Sequence, residues 1–207
     1  DGDVGSRGND RLLVGIGDKG AYVAVRERNG FSGLRKLGGL DIQDRMAPIL
    51  SVAFSGDAES RLAVVATGQP ISAAVVWEAK LTPEWGPPLH RVMHGPTAVQ
   101  GAEFGQMGLV PELMTRSTDK VVRVATLIPG TIRVEGAAVT SLQHCGAVRA
   151  ACWAPGGSSI LTGTAAPDPC ARLWGRCSGG GWGLVDRVPH QSDVTHVGFA
   201  SSGKWFW

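Results

Sequence analysis

The sequence predicts an all-β fold built from a repeated four-strand unit. Three observations predict it. Short apolar runs are separated by clusters of Gly, Pro, Asn and Asp, and no run reaches the ~10–12 residues that a helix needs. An aromatic residue closing one run in each unit recurs at Phe54, Phe104, Trp153 and Phe199, at intervals of 50, 49 and 46. Around that aromatic stand two further marks: a His nine or ten residues before it (His94, His144, His190), and a Trp 23 or 21 residues after it (Trp77, Trp174). Four antiparallel strands in about 47 residues is the unit of a β-propeller blade.

Taken in order, residues 1–10 are polar and Gly-rich and read as a flexible leader. The first unit, 11–44, has strands over Arg11–Gly17 and Ala21–Arg28 and a third over Gly33–Leu40, with its inner strand missing. The second, 45–93, has strands over Ile49–Ser55, Arg61–Thr67 and Ala73–Glu78. Its fourth, Trp85–Met93, contains Pro87-Pro88 and so suits only an outer edge. The third, 94–143, has strands over Ala98–Phe104, Glu112–Arg116, Val121–Leu127 and Thr131–Val139. The fourth, 144–189, is the clearest: Ala147–Ala154, Ser159–Thr164, Cys170–Trp174 and Trp182–Val188, each ended by a turn cluster. A truncated fifth, 190–207, begins with Val194–Ala200 and stops inside a second strand, Lys204–Trp207.

The fourth unit resembles a WD40 repeat. Trp153-Ala154-Pro155-Gly156-Gly157 is similar to that family's turn after the first strand, and Asp168, Arg172, Leu173 and Trp174 follow its D-x-x-x-R-L-W pattern. The resemblance covers about residues 11–207 and implies a propeller whose blades carry a buried network of His, Ser/Thr, Asp and Trp. In unit four it maps onto His144, Thr164 (or Thr162), Asp168 and Trp174. In unit three it maps onto His94, Ser117 and Asp119, with Ala125 in place of the Trp. In unit two Trp77 and Thr67 match, but Arg45 replaces the His and Ile71 the Asp. WD40 propellers usually close with seven blades, so four visible blades imply an incomplete part of a longer propeller.

Composition narrows the function. With 43% apolar residues the chain can build a core, and a net charge of +2 does not favour nucleic acid. No apolar run approaches the ~18 residues of a membrane span, and Asp1-Gly2-Asp3 does not open a signal peptide. Cys145, Cys152, Cys170 and Cys177 lack zinc spacing and read as free thiols, which fits a cytoplasmic or nuclear compartment. The leading histidines lie on different blades and cannot share one ion. Gly15-x-Gly17 followed by Gly20 opens a strand and not a helix, so it lacks the phosphate-binding helix end. No catalytic set and no metal or cofactor site is expected.

The reading is therefore a non-catalytic scaffold, a subunit or adaptor of a multiprotein assembly, that binds a protein or peptide on one loop face. Arg45, Met46, Ile71 and Arg116 are the candidate anchors there, because apolar and Arg side chains are enriched at interfaces. The alternatives are a propeller enzyme with its site at the central channel, where the inner strands offer Glu103, Arg149 and His196, and a chromatin or RNA reader. The second wants a basic stripe with aromatics, and here the Arg residues are scattered.

Overall fold

The computed structural model describes residues 4–8, 11–16, 20–27, 30–31, 33, 35–38, 40–42, 45–55, 62–78, 87–105, 110–127, 139–203 and 206. Its strands fall into four antiparallel sheets in chain order. The first holds β1 (Val4–Gly8), β2 (Arg11–Ile16), β3 (Gly20–Glu27), β4 (Gly30–Phe31) and β5 (Arg35–Lys36). A small hairpin of β6 (Asp41–Ile42) and β7 (Arg45–Met46) leads to the second sheet. That sheet is β8 (Ile49–Phe54), β9 (Leu62–Thr67), β10 (Ala73–Glu78) and β11 (His90–Met93). The third is β12 (Val99–Gly105), β13 (Glu112–Ser117), β14 (Val121–Thr126) and β15 (Val139–Gln143). The fourth is β16 (Val148–Trp153), β17 (Ser159–Thr164), β18 (Cys170–Arg176) and β19 (Trp182–Pro189). In the last three sheets each strand pairs with its sequence neighbour, the up-and-down order of a propeller blade.

The cores lie between blades. Leu13, Val23, Leu37 and Leu40 of blade one close on Val52, Val65, Val75 and Trp77 of blade two. The opposite face of blade two, with Val64, Val76 and Val92, closes on Val99, Phe104 and Leu113 of blade three. Met114, Val122, Val124 and Leu142 then meet Val148, Trp153, Ile160 and Trp174 of blade four. This is why β9 (LAVVAT) and β10 (AAVVWE) are near-continuous apolar runs: both faces of the sheet are covered, so both alternating sets are buried.

The inner strands of blades two, three and four carry a bulge at the same place. Pairing steps from Ile49↔Thr67 to Ser51↔Ala66, from Val99↔Ser117 to Gly101↔Arg116, and from Val148↔Thr164 to Ala150↔Gly163. The extra residues are Leu50, Gln100 and Arg149. A bulge bends the strand and re-aims the residue it leaves unpaired.

Several sequence expectations need correction. Residues 1–10, read as leader, contain β1, which pairs with β2 and packs beside β8, so blade one has its inner strand. Among the described residues of 33–40 only Arg35–Lys36 is strand, because Leu37 and Leu40 turn into the core. The outer strand of blade three runs over Val139–Gln143; Thr131–Val139 falls, except for Val139, outside the described residues. Val194–Ala200 forms no strand, only a bridge from Phe199 to Phe206. Trp85 and most of Lys204–Trp207 also lie outside the described residues.

Candidate functional site

Two buried networks hold blades three and four. In blade four Trp174 Nε1 donates to Thr162 Oγ1 at 3.0 Å, and His144 Nε2 lies 2.9 Å from the same oxygen. The Thr162 hydroxyl donates to the Arg172 carbonyl at 3.4 Å, so it accepts from both rings and Nε2 is the protonated nitrogen of His144. The rings of His144 and Trp174 meet edge to face, centroids 5.3 Å apart. The hydroxyl of this network is thus Thr162. Thr164, the first choice from sequence, donates instead to the Asp168 backbone carbonyl at 2.6 Å and accepts from the Cys170 amide. Asp168 does not bond His144; it takes Arg172 at 2.6 Å and Arg187.

Blade three repeats the plan without the indole. His94 Nε2 lies 2.8 Å from Thr115 Oγ1, which donates to the Arg123 carbonyl. His94 Nδ1 lies 3.0 Å from Asp119 Oδ2. With the proton on Nε2 both of those atoms are acceptors, and Arg123 joins them: its Nη1 donates to Nδ1 and, at 2.7 Å, to Asp119. Ser117, expected in this network, donates to the Ala98 carbonyl and accepts from the Asp119 amide, fixing the turn. Burial is the main cause that lowers both imidazoles to about 4, with Arg123 and Arg172 adding to it, so both rings are neutral. In blade two Trp77, fully buried on β10, donates to the Gly38 carbonyl of blade one at 3.2 Å.

Of the four anchors expected on the loop face, Ile71 is 2% exposed and belongs to the core between blades one and two. It follows Pro70 in a turn, and the turn folds its side chain inward. Arg45 and Met46 form β7 just before the inner strand of blade two. Arg116 lies in β13, next to its last residue, and is half-buried. It lines a cleft of ≈ 190 Å³ with Ser51, Gly101, Ala102, Glu103, Met114 and Ala151. The inner strands β8, β12 and β16 all contribute to this cleft.

The geometry of the cleft follows from register. Gly101 pairs with Arg116 and Glu103 with Met114, so Glu103 and Arg116 lie diagonally on one face of adjacent strands. A Cβ on Gly101 would come within 2.7 Å of Arg116 Nε, so the missing side chain is what admits the guanidinium. Glu103 is exposed at the cleft, and desolvation at its carboxyl pushes it up to about 7 against the pull of Arg116. Burial likewise lowers Arg116. The sequence showed Glu103 as a rare inner-strand charge. It did not show that the strand pairing sets Arg116 beside it.

No family model matches the sequence, and no curated protein matches it. The fold is nevertheless that of known β-propellers. A chain in the crystal structure of the mitotic checkpoint complex aligns over 98% of this chain with TM-score 0.69 and 14% identity. The Cps50 (Swd1) β-propeller domain of Myceliophteria thermophila aligns over 99% with the same TM-score and 15% identity. The aligned region spans only 58% and 60% of those chains. The fold is therefore that of a β-propeller, with four blades among the described residues. No helix among the described residues is long and apolar enough to cross a membrane.

Proposed function

We propose that the chain is a non-catalytic propeller scaffold that docks a protein or peptide on its loop face, as a subunit or adaptor of a multiprotein assembly in the cytoplasm or nucleus. The observation that carries this reading is the row of bulges. Three successive inner strands each release one residue at the same slot, at the strand end nearest the loops between blades. Leu50 is exposed, Gln100 is partly so, and the Arg149 side chain is 51% exposed. An apolar, an amide and a cationic group in one row suit an extended peptide, which offers backbone amides and mixed side chains. Arg45 and Met46, at the entry to blade two, extend the proposed surface. One of the chains sharing this fold is part of the mitotic checkpoint complex.

The test is quantitative affinity capture with three forms of the protein. Arg45→Glu with Arg149→Glu alters the loop face; Val185→Asp alters the outer strand. Partners lost only with the loop-face variant support the reading. Partners retained by it and lost with Val185→Asp would move the interface to the blade rim.

A further inference from the structure

The cleft between β12, β13 and β16 departs from its counterparts in the neighbouring blades. The ladder slot of Glu103 holds Ala53 in blade two and Cys152 in blade four. The slot of Arg116 holds Ala66 and Gly163. In those blades the slots are small because the segment that follows packs on them: Ala66 lies in the core shared with blade three, and a Cβ at Gly163 would meet Val194 at 2.6 Å. Blade three places two charges there, and Gly101 makes room for one of them.

The two charges do not satisfy each other. Among the described residues, no hydrogen bond or ion pair joins Glu103 to Arg116, and neither side chain makes one elsewhere. Glu103 is exposed and Arg116 half-buried, so both attract each other across the cleft yet keep hydrogen-bonding capacity that a ligand reaching both can use. A lone carboxylate would satisfy Arg116 and face Glu103 with like charge. A lone ammonium would do the reverse. We propose that this cleft binds a small zwitterion, a molecule with a carboxylate and an ammonium a few bonds apart, the carboxylate on Arg116 and the ammonium on Glu103. A free α-amino acid has this chemistry. The size agrees: drug-sized pockets begin at about 300 Å³, so ≈ 190 Å³ suits a ligand of a few heavy atoms. Ala102, Met114 and Ala151 supply a short aliphatic wall, and the Ser51 hydroxyl a further polar contact.

The pH dependence separates the ligand classes. The groups facing Glu103 are Arg116 on β13 and Cys152 on β16; β8 contributes Ser51, which does not titrate. The Cys152 thiol is pushed up to about 12, chiefly by burial, and is neutral throughout. Binding an ammonium needs ionised Glu103. With a pKa of about 7 its ionised fraction, and so the affinity for a zwitterion, rises about tenfold from pH 6 to pH 8. A carboxylate-only ligand prefers protonated Glu103 and shows the opposite trend.

The experiment is a titration of the whole chain with glycine, acetate and methylamine, followed by NMR or calorimetry at pH 6 and pH 8. Glycine should bind with a Kd on the order of millimolar at pH 8, about tenfold weaker at pH 6. Acetate and methylamine should each bind at least about tenfold more weakly, because each leaves one charge unanswered. Glu103→Gln and Arg116→Gln should each reduce glycine binding about tenfold or more, and Glu103→Gln should abolish the pH trend. Acetate binding as well as glycine and tightening toward pH 6 overturns the proposal in favour of a carboxylate site. Absence of saturable glycine binding at both pH values overturns it outright. These comparisons are made on the unmodified chain and stand if a variant fails to fold.

Discussion

Lowering the pH from 7 to 5 should cost the fold about 4 kcal/mol through two buried imidazoles. His94 and His144 are held near pKa 4 in the folded chain, against 6.5 when unfolded. The folded pKa is depressed, so the stability each ring carries is full above pH 6.5 and is lost as pH falls toward 4. Between pH 7 and pH 5 the linkage integral gives about 2 kcal/mol per ring. Asp119 does not enter this window. Burial opposes its ionisation, but the Arg123 hydrogen bond and His94 outweigh it and hold its pKa below 3.8. Glu103 works the other way: its raised pKa makes the folded state gain stability as pH falls through 7. The clean background is therefore Glu103→Gln. In that background urea unfolding, followed by Trp fluorescence, should show the full loss. Adding His144→Phe keeps a ring against Trp174 and removes one titrating group, so the loss should halve to about 2 kcal/mol. An unfolding free energy that is the same at pH 7 and pH 5, or a loss that His144→Phe leaves intact, would refute the assignment of neutral, buried imidazoles.

Three further outcomes follow from the geometry. Trp174→Phe removes the 3.0 Å bond to Thr162 while keeping an aromatic ring, and should cost about 1–3 kcal/mol in a thermal melt; a melt within error of the parent would mean that Thr162 is satisfied without the indole. Gly146→Ala would place a Cβ 1.9 Å from the Ala165 carbonyl oxygen, so it should destabilise by more than about 3 kcal/mol. Gly156→Ala, with nothing near its Cβ but φ +81, should cost only about 1–2 kcal/mol, and equal melting of the two would contradict the clash. Thiol labelling at pH 8 should be fast at exposed Cys145 and Cys177 and slow at buried Cys170 and at Cys152, whose pKa is about 12; four equal rates would be inconsistent with the packing of blade four.

Much of the fold was legible because the strands of blades two to four are short apolar runs closed by turn residues, and because Trp77 and Trp174 mark the same strand of two blades. β1 was not, since Val4-Gly5-Ser6-Arg7-Gly8 has no apolar pattern and becomes a strand only by pairing with β2 and lying beside β8. Thr162 and Thr164 stand two apart on one strand and so share a face; alternation cannot choose between them. The choice comes from register: Ile160 pairs with Trp174 and Thr162 with Arg172, which puts the Thr162 hydroxyl within reach of the indole. Ile71 looked like a loop-tip anchor because it sits among turn residues, and only the path of the turn takes it into the core. The Glu103–Arg116 cleft needed the pairing of β12 with β13 and the missing side chain at Gly101, neither of which a single strand displays.

The sharing of cores between blades has a consequence for how damage spreads. Every core has two owners, so no blade can loosen alone. Trp77 fills the seam between blades one and two, and its indole holds Gly38 across that seam. Arg176 of blade four grips Glu112 of blade three, and Trp153 of blade four donates to the Glu103 carbonyl at 3.2 Å. A lesson for anyone cutting or grafting this molecule is that the natural unit of excision is the seam with both its walls. A cut that respects the sequence repeat would leave two half-cores facing water, whereas one that keeps neighbouring blades as a pair preserves a dry interior.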